Sequence, residues 1–125
     1  MTMLPAILEQ AVRLRRHLHA MPELSGEERR TADEVCRRLA QMGIAFERDI
    51  GRHGVVATIH RGQGPRSVGL RCELDALPIL ECAHIPHASQ NPGVMHACGH
   101  DGHWPRCWEP RHCCNVRTDG KTRSA

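Results

Sequence analysis

The densest group of side chains able to bind a metal lies at residues 96–103, whose sequence is HACGHDGH. It offers thiolate, imidazole and carboxylate groups within eight residues, and Gly99 and Gly102 let the backbone turn so that these groups converge. Zinc and similar divalent ions favour nitrogen and sulfur ligands of this kind. Because the Cys-x-His spacing is shorter than that of zinc fingers, the pattern favours a loop at a sheet edge. Buried cysteines and hydrogen-bonded histidines are the alternative interpretation.

Asp75 is a second candidate because it follows an apolar segment and precedes Ala76-Leu77-Pro78. A carboxylate at the end of a strand can orient a metal-bound histidine from the side away from the metal. The alternative is an ordinary aspartate that initiates a turn. Taken alone, the residue slightly favours the turn.

Two amphipathic helices are predicted to position these groups. Apolar residues at spacings of three and four predict a helix over residues 4–20, which Pro22 closes. Ser25 and Glu28 have the form of a capping box, and the next helix ends at Gly43. The apolar stripe of this second helix consists of Ala32, Val35, Cys36 and Leu39.

Three strands are predicted to follow the helices. They cover residues 44–50, 55–60 and 67–74, and Gly51 and Gly54 separate the first two. Helices that alternate with strands in this way indicate a layered α/β or α+β domain.

The composition limits the class and location of the protein. The 125 residues carry a formal net charge of +3, and a chain of this length fits one domain. The mild charge, with only two Trp and one Phe, argues against binding to nucleic acid or an anionic membrane. The start of the chain has no secretory pattern, which predicts a cytoplasmic protein. Seven cysteines, an odd number, favour free thiols or metal ligands over a disulfide framework.

Three segments in this order resemble one enzyme family. They are RRHLHAMPELSGEE at 15–28, LRCELDALPI at 70–79 and PGVMHACGHDGH at 92–103. Together they closely resemble the opening of the metal-dependent amidohydrolases related to hippurate hydrolase, N-acyl-amino-acid aminoacylase and auxin-conjugate hydrolase. The resemblance covers residues 1–103 and implies the amino-terminal part of a three-layer α/β/α zinc-peptidase-like catalytic domain, with the lid domain absent.

The same resemblance implies the activity and the cofactor. Members of the family cleave the amide bond of N-acyl amino acids and use two divalent ions, so the resemblance implies Zn, Mn or Co here. Their general-base glutamate, part of a Glu-Glu pair, and further ligands follow downstream of the Cys-Gly-His-Asp motif and are absent from this chain. A chain without them is expected to have little or no activity.

Individual site residues are also carried over by position. Cys98 and His100 are similar to the family's metal ligands, and Asp75 is similar to the acid that supports the metal site. Glu73 stands where the family more often has Asp, and Cys72 beside it replaces a smaller residue. The resemblance assigns Asp101 and His103 a supporting role, and it favours a structural role for the His17-Leu18-His19 motif.

Residues 104–125 form a segment of different composition. They contain both tryptophans and three of the seven cysteines but no Leu, Ile, Met or Phe, which predicts a disordered tail. Read in a neighbouring frame, codons for residues 105–110 can give Ala-Met-Leu-Gly-Ala, which is typical of the family's next helix. This predicts a frameshift near His103, in a pseudogene or through a sequencing error, and sequencing the locus tests it.

Two alternatives remain open for the tail and for the whole chain. For the tail, the alternative is a zinc site. For the whole chain, the alternative is a non-catalytic fragment that binds a metal or docks on an intact relative. A homo-oligomer formed through an exposed sheet edge is a further prediction. The ligands of the alternative zinc site are Cys107, His112, Cys113 and Cys114, with His100 and His103.

Overall fold

The described part of the chain consists of two long helices, a β-hairpin and a largely irregular segment that returns to the first helix. The computed structural model describes residues 3–60 and 63–107. In chain order the elements are α1 (Met3–Ala20), α2 (Arg29–Gln41), β1 (Phe46–Ile50), β2 (Gly54–Ala57), a 3₁₀ turn (His100–Gly102) and α3 (His103–Cys107).

Both predicted helices are confirmed, and their apolar stripes form the core. Leu14 and Leu18 of α1 are 0% and 4% exposed, and all four residues of the α2 stripe are buried. Apolar residues that repeat every three or four positions lie on one face of a helix. The apolar faces of α1 and α2 therefore pack into one shared core. The core cluster contains Leu14, Leu18, Val35, Leu39, Ile44 and Trp104.

The predicted capping box at the start of α2 is wrong. Glu28 is the N-cap residue but makes no side-chain cap, and its carboxylate instead accepts the Gly26 N–H at 2.8 Å. The free N–H groups of the first turn, those of Arg30 and Thr31, donate to the Glu23 carboxylate at 3.1 and 2.7 Å. A carboxylate outside the helix therefore caps it, and it also suits the positive end of the helix dipole.

Gly43 ends α2 as predicted, because it adopts a left-handed backbone with φ of 64°. The Gly43 and Ile44 N–H groups donate to the carbonyls of Ala40 and Leu39 at 2.9 and 3.0 Å, which satisfies carbonyls left free at the helix end. The turn also directs Ile44 into the core.

We expect Gly43→Ala to lower the free energy of unfolding by about 1 kcal/mol, because a Cβ is disfavoured in the left-handed region. A Cβ at Gly43 meets no atom within 4 Å, so backbone strain alone accounts for the effect. Gly69→Ala is the matched control, since it also has open space and lacks a positive φ. Urea unfolding followed by circular dichroism measures both, and equal midpoints would contradict the prediction.

The first two predicted strands are confirmed as an antiparallel hairpin with narrower bounds. Phe46 pairs with Ala57 and Glu47 with Val56, and the register shifts before Ile50. The turn that joins the strands uses positive φ values at Gly51 and at Arg52.

The predicted third strand at residues 67–74 is wrong. Within residues 3–60 and 63–107 the hairpin is the one sheet, and residues 67–74 form neither helix nor strand, with Val68 89% and Leu70 69% exposed. A strand requires a neighbour that accepts its backbone hydrogen bonds. Beyond residue 75 the chain makes isolated bridges instead, from Ala76 to Leu24 and from Leu77 to Met95.

The segment predicted to be a disordered tail begins inside α3. Trp104 is 8% exposed and belongs to the core cluster, and Cys107 packs against that cluster. The composition of residues 104–125 did not predict this apolar face, because it consists of only two residues, Trp104 and Cys107, on a short helix. The frameshift is a prediction about the gene, which the structure does not test. Of the alternative zinc site, His112, Cys113 and Cys114 lie outside the described residues, and the site stays a prediction.

Within the described residues, no helix is both long and apolar enough to cross a membrane.

Candidate metal centre

A short bridge between two loops brings the predicted site residues together. Leu77 and Met95 exchange backbone hydrogen bonds at 3.0 and 2.9 Å. This pairing sets the segment that contains Glu73 and Asp75 beside the loop that leads to His100. Residues more than 20 positions apart in the sequence thereby share one site.

Glu73, His100 and His103 form the group that can hold a metal ion. One potential ligand atom from each lies within 4.8 Å of the others, and all three residues are half-buried. His100 Nε2 is 3.1 Å and His103 Nδ1 is 3.9 Å from Glu73 Oε2. Two imidazoles and a carboxylate are a donor set that zinc accepts, so these residues fit a divalent cation.

Asp75 fixes the His100 ring from its opposite side. Its Oδ1 atom lies 2.9 Å from His100 Nδ1, and its carbonyl oxygen lies 3.1 Å from the same nitrogen. Two acceptors at Nδ1 favour the tautomer with the proton there, which leaves Nε2, the atom facing Glu73, free for a metal. The role that the resemblance assigns to Asp75 stays a prediction.

We expect Asp75→Ala to weaken Zn²⁺ or Co²⁺ binding by about 10–100-fold, because the His100 ring loses the partner that sets its orientation. Isothermal titration calorimetry measures the affinity. Asp75→Asn keeps an acceptor and should lie between, whereas Glu47→Ala, at an exposed residue of β1, should bind as the wild type does. Unchanged affinity in Asp75→Ala would exclude the proposed role.

Cys98, the other predicted ligand, is exposed and lies outside the three-residue group. Its role as a ligand stays a prediction. Cys72 is half-buried, and its thiol points to the His103 carbonyl oxygen at 3.6 Å. Burial, together with the neighbouring Cys107 thiol, raises the pKa of Cys72 to about 12. Cys72 is therefore a neutral thiol beside the site, which makes it a poor nucleophile.

Asp101 is the most deeply buried of the predicted site residues, with its side chain 1% exposed. Its Oδ2 atom lies 2.8 Å from Arg15 Nε and 2.7 Å from His19 Nδ1. This contact ties α1 to the turn that contains His100. The supporting role assigned to Asp101 and the structural role of the His17-Leu18-His19 motif stay predictions.

Sequence reasoning missed Arg15 and Glu81 as parts of this surrounding network. Glu81 Oε1 lies 3.1 Å from His19 Nε2, although 62 residues separate the two in the chain. The one local signal was the spacing of Arg15 and His19, which places both on one face of α1. No comparable pattern marks Glu81.

His96, the first residue of the motif, is buried and 4% exposed. Neither of its ring nitrogens has a hydrogen-bond partner among the described residues. Burial lowers the pKa of His96, because the charged form loses its hydration. It is therefore a neutral side chain packed beneath the motif, with its ring centroid 6.4 Å from that of His19.

Comparison with known proteins gives a consistent family. The hippurate hydrolase of Campylobacter jejuni is 40% identical over 106 residues, which cover 82% of this chain and 28% of that protein. An N-acyl-L-amino acid amidohydrolase of Geobacillus stearothermophilus is 48% identical over 89 residues, 71% of this chain and 24% of that protein. No family model matches the chain.

A solved structure agrees with these relatives. A dinuclear metal-binding peptidase of the M20 family from Bacillus subtilis superposes with a TM-score of 0.79 and 35% identity, over 83% of this chain and 30% of that one. The predicted α/β fold class is thereby confirmed. The chain spans about a quarter of the length of the curated relatives it matches. Sequence and fold together show that the chain belongs to the family of amidohydrolases and metallopeptidases that includes hippurate hydrolase and N-acyl-amino-acid amidohydrolase.

Proposed function

We propose that the chain provides part of the metal centre of an enzyme that hydrolyses the amide bond of N-acyl amino acids. The observation that carries the proposal is the group of Glu73, His100 and His103, with Asp75 bound to the far side of the His100 ring. Relatives named hippurate hydrolase and N-acyl-L-amino acid amidohydrolase support the substrate class.

The residues of the chain divide into those that hold the metal and those that orient them. His100, with Cys98 as the resemblance implies, would hold a Zn, Mn or Co ion, and Glu73 and His103 lie close enough to contribute. Asp75 holds the proton of His100 at Nδ1 and thereby keeps Nε2 available. When bound, the metal supplies Lewis acidity, which polarises the scissile carbonyl and makes water a stronger acid.

The 125-residue chain alone is expected to hydrolyse its substrate slowly or not at all. The resemblance places the general-base glutamate in a Glu-Glu pair downstream of the motif, and hydrolysis depends on a group that takes a proton from water. Metal binding, which residues 73–103 should perform, is therefore separate from turnover, which the resemblance assigns to residues downstream of the motif.

The test measures both properties on the same protein. Calorimetric titration with Zn²⁺, Mn²⁺ and Co²⁺ should show saturable binding, and hippurate hydrolysis with each metal should remain at background. A chain that binds none of the three metals would contradict the proposed centre. Hydrolysis at the rate of an intact relative would contradict the assignment of the general base.

A binding function without catalysis is a second candidate, and the exposed apolar side chains favour it. Val68, Leu70 and Leu80 are 89%, 69% and 67% exposed, and such residues cluster at protein interfaces. An intact relative is the partner we propose for this surface, and a homo-oligomer through the edge of the hairpin stays an alternative. Pull-down with a full-length relative should capture the wild type and lose a Val68→Ser, Leu70→Ser variant.

A further inference from the structure

A network of buried charges lies next to the candidate metal centre but outside the group that can hold the ion. It consists of Arg15 and His19 on α1, together with Glu81 and Asp101. The Asp101, His19 and Glu81 side chains are 1%, 4% and 3% exposed. Charged groups are rarely buried this deeply unless they are paired.

Each member of the network has a defined partner. Arg15 Nε and His19 Nδ1 meet the same Asp101 oxygen at 2.8 and 2.7 Å. On its other side, His19 Nε2 meets Glu81 at 3.1 Å. Both ring nitrogens of His19 therefore face carboxylate oxygens, and Arg15 Nη2 also lies 3.2 Å from Nδ1.

Glu81 is held as a carboxylate from a third direction. The Ser89 N–H donates to Glu81 Oε2 at 2.6 Å. This hydrogen bond, followed by the contact with His19, lowers the pKa of Glu81. The loop at residues 81–89 therefore supports His19, which in turn holds Asp101.

The backbone around Asp101 needs such a support. Asp101 is the middle residue of the 3₁₀ turn His100–Gly102, whose N-cap is Gly99 with φ of 79°. Glycine restrains the backbone less than any other residue, so the buried contacts of the Asp101 side chain add to what holds the turn in place. His100 lies immediately before Asp101, and His103 lies two residues after it.

We propose that Arg15 and His19 are positioning residues of the metal centre, which act through Asp101 to set the positions of His100 and His103. The inference rests on the proposed metal-binding function and extends the centre to α1. Removing a residue that hydrogen-bonds a metal ligand typically changes metal affinity by about 10–100-fold. Arg15 and His19 act one residue further away, through Asp101, so we expect an effect near the lower end of that range.

Binding of Co²⁺ to the full chain tests the proposal, because the visible spectrum of Co²⁺ reports the geometry of its ligands. We expect His19→Gln and Arg15→Met to weaken Co²⁺ binding about tenfold or more and to alter the d–d bands. Arg15→Lys, which keeps the charge, should recover part of the affinity. His17→Gln and Arg16→Met change exposed residues of the same helix and should bind within twofold of the wild type.

Folding is measured separately by circular dichroism, and binding is compared at a temperature at which each variant is folded. If His19→Gln does not fold, Arg15→Met decides, since the Arg15 side chain is 39% exposed and tolerates replacement better. Variants that are less stable but give the wild-type affinity and spectrum would overturn the inference alone. A wild type that binds no Co²⁺ would overturn the proposed centre and the inference with it.

Discussion

His100→Ala is expected to reduce the affinity of the chain for Zn²⁺ or Co²⁺ by more than about 100-fold. Loss of a residue that merely supports a ligand costs about 10–100-fold, and His100 is itself the central member of the group. Its Nε2 faces Glu73 at 3.1 Å, and its Nδ1 is held by Asp75 at 2.9 Å. Without the ring, two carboxylates remain with one neighbouring imidazole. Calorimetric titration with each metal measures the effect.

His84→Ala is the matched control, because His84 is an exposed histidine outside the three-residue group. It should leave the affinity within twofold of the wild type. Circular dichroism spectra should show that both variants keep the helical content of the wild type. If His100→Ala binds metal as tightly as His84→Ala, the metal observed in the wild type lies elsewhere in the chain.

Asp101→Ala is expected to lower the free energy of unfolding by about 3–5 kcal/mol, the usual cost of removing one partner from a buried ion pair. Arg15 and His19 both direct their N–H groups at the Asp101 carboxylate, and His19 is almost fully buried. The variant leaves the His19 donor without this acceptor away from water, whereas the Arg15 side chain, 39% exposed, can turn to solvent. Since small domains have only about 5–15 kcal/mol in total, this loss is a large part of the stability of the fold. Urea unfolding followed by circular dichroism gives the value.

Asp33→Ala provides the comparison that isolates burial. Asp33 pairs with Arg48 at 2.7 Å, but their side chains are 50% and 47% exposed. An exposed pair of this kind contributes about 0–1 kcal/mol, so the two aspartates should differ severalfold. Equal effects of the two replacements would show that the pairing at Asp101 does not stabilise the fold.

The sequence by itself determined the parts of this protein that depend on neighbouring residues. The two helices follow from apolar residues three and four positions apart, because this spacing places them on one helical face. The end of α2 follows from Gly43, since glycine adopts a left-handed backbone without strain. The hairpin follows from two short runs around a glycine turn. His100 and His103 are also neighbours through local spacing alone.

Contacts between residues that are distant in the sequence were decided only by the tertiary structure. Glu73 and Asp75 reach His100 because Leu77 pairs with Met95. Nothing in the local pattern marks that bridge. The cap on α2 comes from Glu23, which lies several residues before the helix and accepts the Thr31 N–H. The capping-box pattern considers only two residues three positions apart, and it therefore predicted Ser25 and Glu28 instead.

The wrong prediction of a third strand and the failure to predict the buried network have the same cause, which is that both features depend on residues distant in the sequence. An apolar run around Val68 and Leu70 has the composition of a strand, but strand structure depends on hydrogen bonds to a neighbouring chain segment. Likewise, Asp101 is 82 residues from His19 in the chain, and burial of such a charge is tolerated only where folding brings an opposite charge to it. Periodicity and turn residues encode local geometry, whereas contacts between distant residues depend on tertiary packing, here the Leu77–Met95 bridge and the packing of α1 against the turn at residues 100–102.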